Sequence, residues 1–191
     1  MSTPSHAKPD LALLALLSPD PATDHILGPA SAPVTVVEFG DFECPSCRQA
    51  HPTVQFTLSH FGPQLRFVYR HFPLREVHPH AELAAQAAEA ASAQGKFWAY
   101  ADLLFNHQSH LDSRHLDAYA RQLDLDMPRF ENELKDGVYR QRVQEQVEAG
   151  RRLNVRATPT FYVNGVFTDV SFGLLQLRDA IERALRKPPA P

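Results

Sequence analysis

The chain has only two cysteines in 191 residues. That excludes a disulfide-stapled scaffold, and a chain of this length can bury a core without staples. Both cysteines, Cys44 and Cys47, lie in one short stretch, so neither is left for a structural bridge elsewhere. There is also no charge excess. Nineteen Lys and Arg against 22 Asp and Glu give a formal charge of -3, too little basic field for a nucleic-acid role. Long apolar runs are missing too. "LALLALL", Leu11 to Leu17, has seven residues, whereas a membrane span needs ~20. It lacks the basic start and small-residue cleavage site of an export signal, and reads instead as a short amphipathic arm docking on the domain. With no structural bridges, this predicts a cytoplasmic protein, or a periplasmic one if a leader has been removed.

What is present is the apolar and charged content of an ordinary globular protein, 43% and 21%. "VTVVEF", Val34 to Phe39, is β-branched and reads as a strand buried on both faces. "GDFECPSC" follows, with Pro45 suited to the first turn of a helix over roughly Ser46 to Ser59. "QLRFVYRHF", Gln64 to Phe72, reads as a second strand, so the three elements predict a right-handed βαβ unit. From His78 to about Asn154 every segment is helical, including the alanine-rich stretch at 81–93. "TFYVNGVFTDV" then resumes strand character, its Asn164-Gly165 pair signalling a hairpin, before an amphipathic helix over Leu174 to Leu185. The predicted architecture is an α/β frame with an inserted all-helical subdomain. Residues 1–30 form an N-terminal leader, 31–77 and 155–187 the two halves of the frame, and 78–154 the insertion.

The chemistry centres on "FGDFECPSCRQAHP", residues 39–52. A cysteine opening a helix faces unpaired amide groups and the positive end of the helix dipole, which favour its thiolate. Cys44 is then the attacking sulfur, and Cys47, one turn further in and shielded by packing, the resolving one. Other readings stand beside this one: an inert buried pair, or a zinc site that recruits histidines such as His78 and His80 or His107 and His110. A zinc- or thiol-dependent peptide-binding module without turnover is the corresponding alternative function. Strand alternation puts Val34, Val36 and Glu38 on one face, so Glu38 either lies beneath the cysteine helix or reaches water at the strand end. Arg70 and His71 either flank the site or form a solvated strand end. Phe42, Phe72, Phe97, Trp98, Tyr100 and Phe105 divide between a client groove and plain core, with at least half assigned to core.

Taken together, the strand ending in Glu38-Phe39, the Cys-Pro-Ser-Cys helix opening, the helical insertion and Thr158-Pro159-Thr160 before a strand resemble the DsbA-like family of thiol-disulfide oxidoreductases. "DHILGPASAPVTVVEFGDFECPSCR", "RHFPLREVHPHAELAAQAAEAA", "GKFWAYADLLF" and "NVRATPTFYVNG" carry the likeness from about residue 24 to 186. The resemblance implies a thioredoxin-like fold with a helical insertion and a redox-active disulfide between Cys44 and Cys47. It also implies Glu38 as proton relay and a cis peptide bond before Pro159, with the Thr158 backbone free to pair with an extended client. The implied partners are protein or peptide thiol and disulfide substrates and a redox partner that the sequence does not identify. No cofactor or metal is implied. Relatives that conjugate or isomerise with glutathione generally lack the second cysteine, so Cys47 speaks against that chemistry.

Overall fold

The computed structural model describes residues 11–171 and 173–186. The first ten residues of the predicted leader and the tail from 187 to 191 lie outside the described residues.

Two strands and the helix between them make the frame. β2 (Val34–Gly40) and β3 (Leu65–His71) run parallel, joined by α2 (Pro45–Phe61), which is the predicted βαβ unit. β4 (Thr160–Val163) pairs antiparallel with β2, and β5 (Val166–Thr168) closes the hairpin with it through Asn164 and Gly165, both at positive φ. A fifth strand, β1 (His25–Leu27), pairs antiparallel with β3, giving the order β1-β3-β2-β4-β5. β1 falls inside the stretch expected to be leader. Three residues are too few for an alternation pattern, and only pairing with the finished β3 edge makes them a strand.

The sheet buries both faces. Val34, Val36, Phe67, Tyr69, Phe161 and Val163 belong to one cluster with α2, α4 (Phe97–Asn106) and α8 (Leu175–Arg186). Val37, Phe39, Val68 and Tyr162 belong to the other, with Leu17, Val147 and Val155. Leu17 follows α1 (Leu11–Leu16), so this part of the arm does dock on the domain.

The helical part is built around α3 (Ala81–Ser92). Its Ala81, Ala84, Ala85, Ala87, Ala88, Ala90 and Ala91 are all buried, and their small side chains let α4, α5 (Ser113–Gln122), α6 (Met127–Lys135) and α7 (Arg140–Arg152) pack against it.

The β3 end corrects one expectation. Arg70 and His71 are not at a solvated strand end; they are 6% and 1% exposed. Arg70 holds Asp24 in a bidentate pair, both contacts 2.7 Å, and donates to the carbonyls of Leu16 and Ser18. It thereby ties the N-terminal arm to the sheet. His71 and His25 both contact Glu89 Oε1, at 3.1 and 2.7 Å, while Arg142 donates to Glu89 Oε2 at 3.0 Å. A fully buried carboxylate is tolerable only with such partners. Glu89 thus joins β1, β3, α3 and α7.

Candidate active site

Cys44 is the N-cap residue of α2, with extended backbone (φ -74°, ψ 121°), and Pro45 occupies the first turn, where its missing N–H costs nothing. Cys47 lies in that same turn and is 0% exposed. Both cysteines are unbridged. The Cys44 sulfur is less open than a helix N-terminus alone suggests. It is 6% exposed, and the Thr158 carbonyl lies against it, 3.2 Å from Sγ. The Thr158–Pro159 peptide bond is cis. Thr158 and Pro159 therefore sit beside the cysteine pair although more than a hundred residues separate them in the chain.

The two thiols are driven apart electrostatically. A hydrogen bond from the Cys47 side chain, aided by Thr158 and by the Cys47 and Ser46 backbone amides, lowers Cys44 to about 5 against the opposing effect of burial. Burial pushes Cys47 well up, and its hydrogen bond to Cys44 adds to this. At neutral pH Cys44 is an anion and Cys47 a thiol that hydrogen-bonds it. A thiolate cannot donate to the Thr158 carbonyl. The Thr158 hydroxyl, buried and otherwise unpartnered, is the neighbouring group able to donate instead.

Glu38 lies on the α2 side of β2 and is 4% exposed, so the strand-end reading does not hold. Burial, and then the charge of Cys44, raise its carboxyl to about 8. Its cross-strand neighbour is Tyr69. The backbone between Glu38 and Cys44 passes Tyr69 at Gly40, where a Cβ would come within 2.5 Å of the Tyr69 ring. Only glycine fits beneath that ring.

Two further residues, Asp41 and Gln108, shape the site, and neither is among the site residues expected from the sequence. Asp41 is 2% exposed, and its carboxylate accepts from the Glu43 and Leu74 amides and contacts His78 Nδ1 at 2.7 Å. Its own amide points at Cys47 Sγ, 3.5 Å away. Gln108, just beyond α4, donates to the carbonyls of Phe42 and Cys44, both at 2.8 Å, and clamps the helical part to the cysteine loop. An aspartate two residues before the Glu43 amide it caps is an Asx-turn signal, so Asp41 was open to recognition; Gln108 carries no such mark.

The candidate zinc ligands do not gather at the cysteines. His78 is bonded to Asp41, the His80 amide donates to Glu43, His107 Nδ1 faces the Leu103 carbonyl and His110 faces Ser109. Among the described residues, the group of three metal-ligating side chains that does converge is His25, His71 and Glu89, which includes neither cysteine. Of the six candidate groove aromatics, Phe42, Phe72, Phe97, Tyr100 and Phe105 are buried core. Trp98 is half-buried.

Comparison with known proteins agrees with this geometry. The family model described as thioredoxin matches residues 20–183. A curated protein named Na(+)/H(+) antiporter NhaA 1, from Salinispora arenicola, is 48% identical over 165 residues, which cover 86% of this chain and 25% of that protein. The chain therefore spans about a quarter of the length of the curated relatives it matches. Among the described residues no helix is long and apolar enough to cross a membrane. A thioredoxin-like oxidoreductase from Silicibacter pomeroyi superposes with a TM-score of 0.79 at 29% identity, covering 95% of this chain and 100% of that one. Oxidised BdbD from Bacillus subtilis shares the fold, with a TM-score of 0.78 at 24% identity over 88% of this chain and 96% of its own. With the family model matched over residues 20–183, a mixed sheet shared with these structures and a Cys-Pro-Ser-Cys helix opening, the chain belongs to the thioredoxin family.

Proposed function

We propose that the chain is a protein disulfide oxidoreductase that exchanges disulfides with protein or small-thiol substrates through Cys44 and Cys47. The observation that carries this reading is the arrangement of the two sulfurs. One is a stabilised anion at the mouth of α2; the other is a buried thiol one turn behind it. In the oxidising direction, a client thiolate attacks the Cys44–Cys47 disulfide, forms a mixed disulfide with Cys44 and frees Cys47; a second client thiolate then releases Cys44. In the reducing direction, the Cys44 thiolate attacks a client disulfide, and Cys47 displaces the client as it loses its proton.

Glu38 serves as the proton relay for Cys47. While Cys44 is an anion its charge helps keep Glu38 protonated. Once Cys44 is capped as a mixed disulfide that charge is gone, and the carboxylate forms more readily when Cys47 must give up its proton. Thr158 and Pro159 form the client-contact loop beside the attacking sulfur, and the Thr158 backbone pairs with an extended client chain. The partner that recharges the pair is a second thiol-disulfide protein or small thiol. The relatives named as antiporters support a setting in which this unit works beside a membrane transporter of that kind. A cytoplasmic site of action is supported by the cysteine usage alone, since no structural bridge accompanies the redox pair.

Turnover is tested by dithiothreitol-driven reduction of insulin. Wild type should accelerate precipitation, Cys44→Ser should not, and reduced Cys47→Ser mixed with insulin in the absence of dithiothreitol should accumulate a covalent complex that added dithiothreitol releases. Wild-type turnover by Cys44→Ser would overturn the assignment.

A further inference from the structure

Beside the cysteine helix lies a cavity of about 160 Å3 that the exchange chemistry alone does not require. It opens between α2 and α4, and Glu38 and Tyr69 line it together with Leu27, Val54, Phe67 and Phe105. The Tyr69 hydroxyl is buried and has no hydrogen-bond partner among the described residues.

Polar side chains also line the cavity. Asp102 Oδ1 accepts from His51 Nε2 at 2.7 Å and from Gln55 Nε2 at 2.9 Å. The His51 side chain is 16% exposed and Asp102 is 46% exposed, so the pair joins the cavity to solvent. His51 is held against the Phe105 ring, with centroids 4.6 Å apart, and it lies one helical turn beyond Cys47. A buried carboxyl thus faces a cavity that also reaches an exchangeable imidazole and bulk water.

We propose that this cavity is the proton port of the site. Water within it carries the proton that Cys47 gives to Glu38 outward to the His51–Asp102 pair and so to solvent. This rests on the relay role given to Glu38 above. The step is balanced. Cys47 forms a sulfur–sulfur bond to Cys44 as the bond from Cys44 to the client sulfur breaks. The client leaves with the electron pair as a thiolate, and the Cys47 proton passes through Glu38 to water. Glu38 interacts with the N-cap Cys44, with Cys47 of α2 and with Tyr69 of β3, and it shares the cavity with His51 of α2 and Asp102 of α4. His51 and Asp102 act as positioning residues, through water rather than on sulfur.

Reduced protein mixed with 5,5′-dithiobis(2-nitrobenzoate) tests this, because it releases two chromophoric thiolates in sequence: the first as Cys44 is capped, the second as Cys47 closes the disulfide. In weak buffer, His51→Gln and Asp102→Asn should slow the second phase by about tenfold relative to the first, less than the ~10²–10⁴ of a direct general acid–base group. Added imidazole should restore it. In a Glu38→Gln background the same substitutions should cause no further slowing. A second phase at the wild-type rate in His51→Gln, or slowing that imidazole does not relieve, would overturn the port. If Glu38→Gln itself left the second phase unchanged, the relay would fall first, and the two failures are distinguishable.

Discussion

Cys44 and Cys47 differ in ionisation because of what touches them, not because of their own chemistry. Their spacing and the Pro45 helix start are legible in the sequence, whereas strand alternation puts Glu38 on the face of Val34 and Val36 but leaves open whether it lies beneath α2 or reaches water, which its burial decides. What the spacing does not reveal is how far the Thr158 carbonyl closes over the sulfur, or that Asp41 organises the loop through a histidine 37 positions away. The first contact exists only after β4 has paired with β2, and the second only after β3 has. At this scale the account predicts a pH signature for Glu38. Its carboxyl sits near 8 while Cys44 is charged and lower once it is capped, so the base form grows with pH up to an inflection at or below about 8. The closing of the disulfide should quicken with pH over that range in wild type. Glu38→Gln should flatten the profile and slow the neutral-pH rate by ~10². Stopped-flow rates of the second thiolate release across pH 5–9 check this, and an unaltered profile would remove Glu38 from the proton path.

The elements most readable from sequence are those with a self-contained pattern. β2, α2, β3 and α8 lie within a few residues of their predicted bounds and α3 to α7 fill the stretch expected to be helical, because apolar periodicity and Pro or Asp at helix starts are local signals. β1 was not legible; its pairing is a property of the β3 edge. Nor does the close crossing of β2 and the Tyr69 ring show in any pattern. A Cβ at Gly40 would lie 2.5 Å from Tyr69 Cε2 in a fully packed layer, so Gly40→Ala must displace the ring. We expect a loss of ~1–3 kcal/mol in urea unfolding, typical of overpacking. Gly40→Ala combined with Tyr69→Leu should recover part of it. No loss in the single variant would mean that the β2–β3 layer yields more easily than its burial implies.

Across the whole molecule, His25 and His71 are buried around Glu89, and their positions, 64 and 18 residues away from it, share no sequence motif. Burial alone would raise the Glu89 carboxyl, but the hydrogen bonds from His25 and His71 outweigh it and hold the carboxyl well below its usual range. Burial also lowers His25. Both groups bind fewer protons folded than unfolded, so both act with the same sign. The stability they confer is complete above the unfolded histidine value of ~6.5 and is lost progressively as pH falls. Thermal unfolding should therefore show a Tm that drops steadily from pH 7 to pH 4. Glu89→Gln should lower the Tm at pH 7 and flatten that dependence. A Tm for Glu89→Gln equal to wild type at pH 7 would contradict the role of this carboxylate in joining β1, β3, α3 and α7.

The most direct test of the account is the ionisation of Cys44 in the reduced protein, followed by thiolate absorbance at 240 nm and by the rate of alkylation with iodoacetamide. The predicted result is a midpoint near pH 5, moving upward in Cys47→Ala as the principal hydrogen bond to the anion is lost. A midpoint at the ordinary thiol value of ~8.5, unmoved by that substitution, would contradict it.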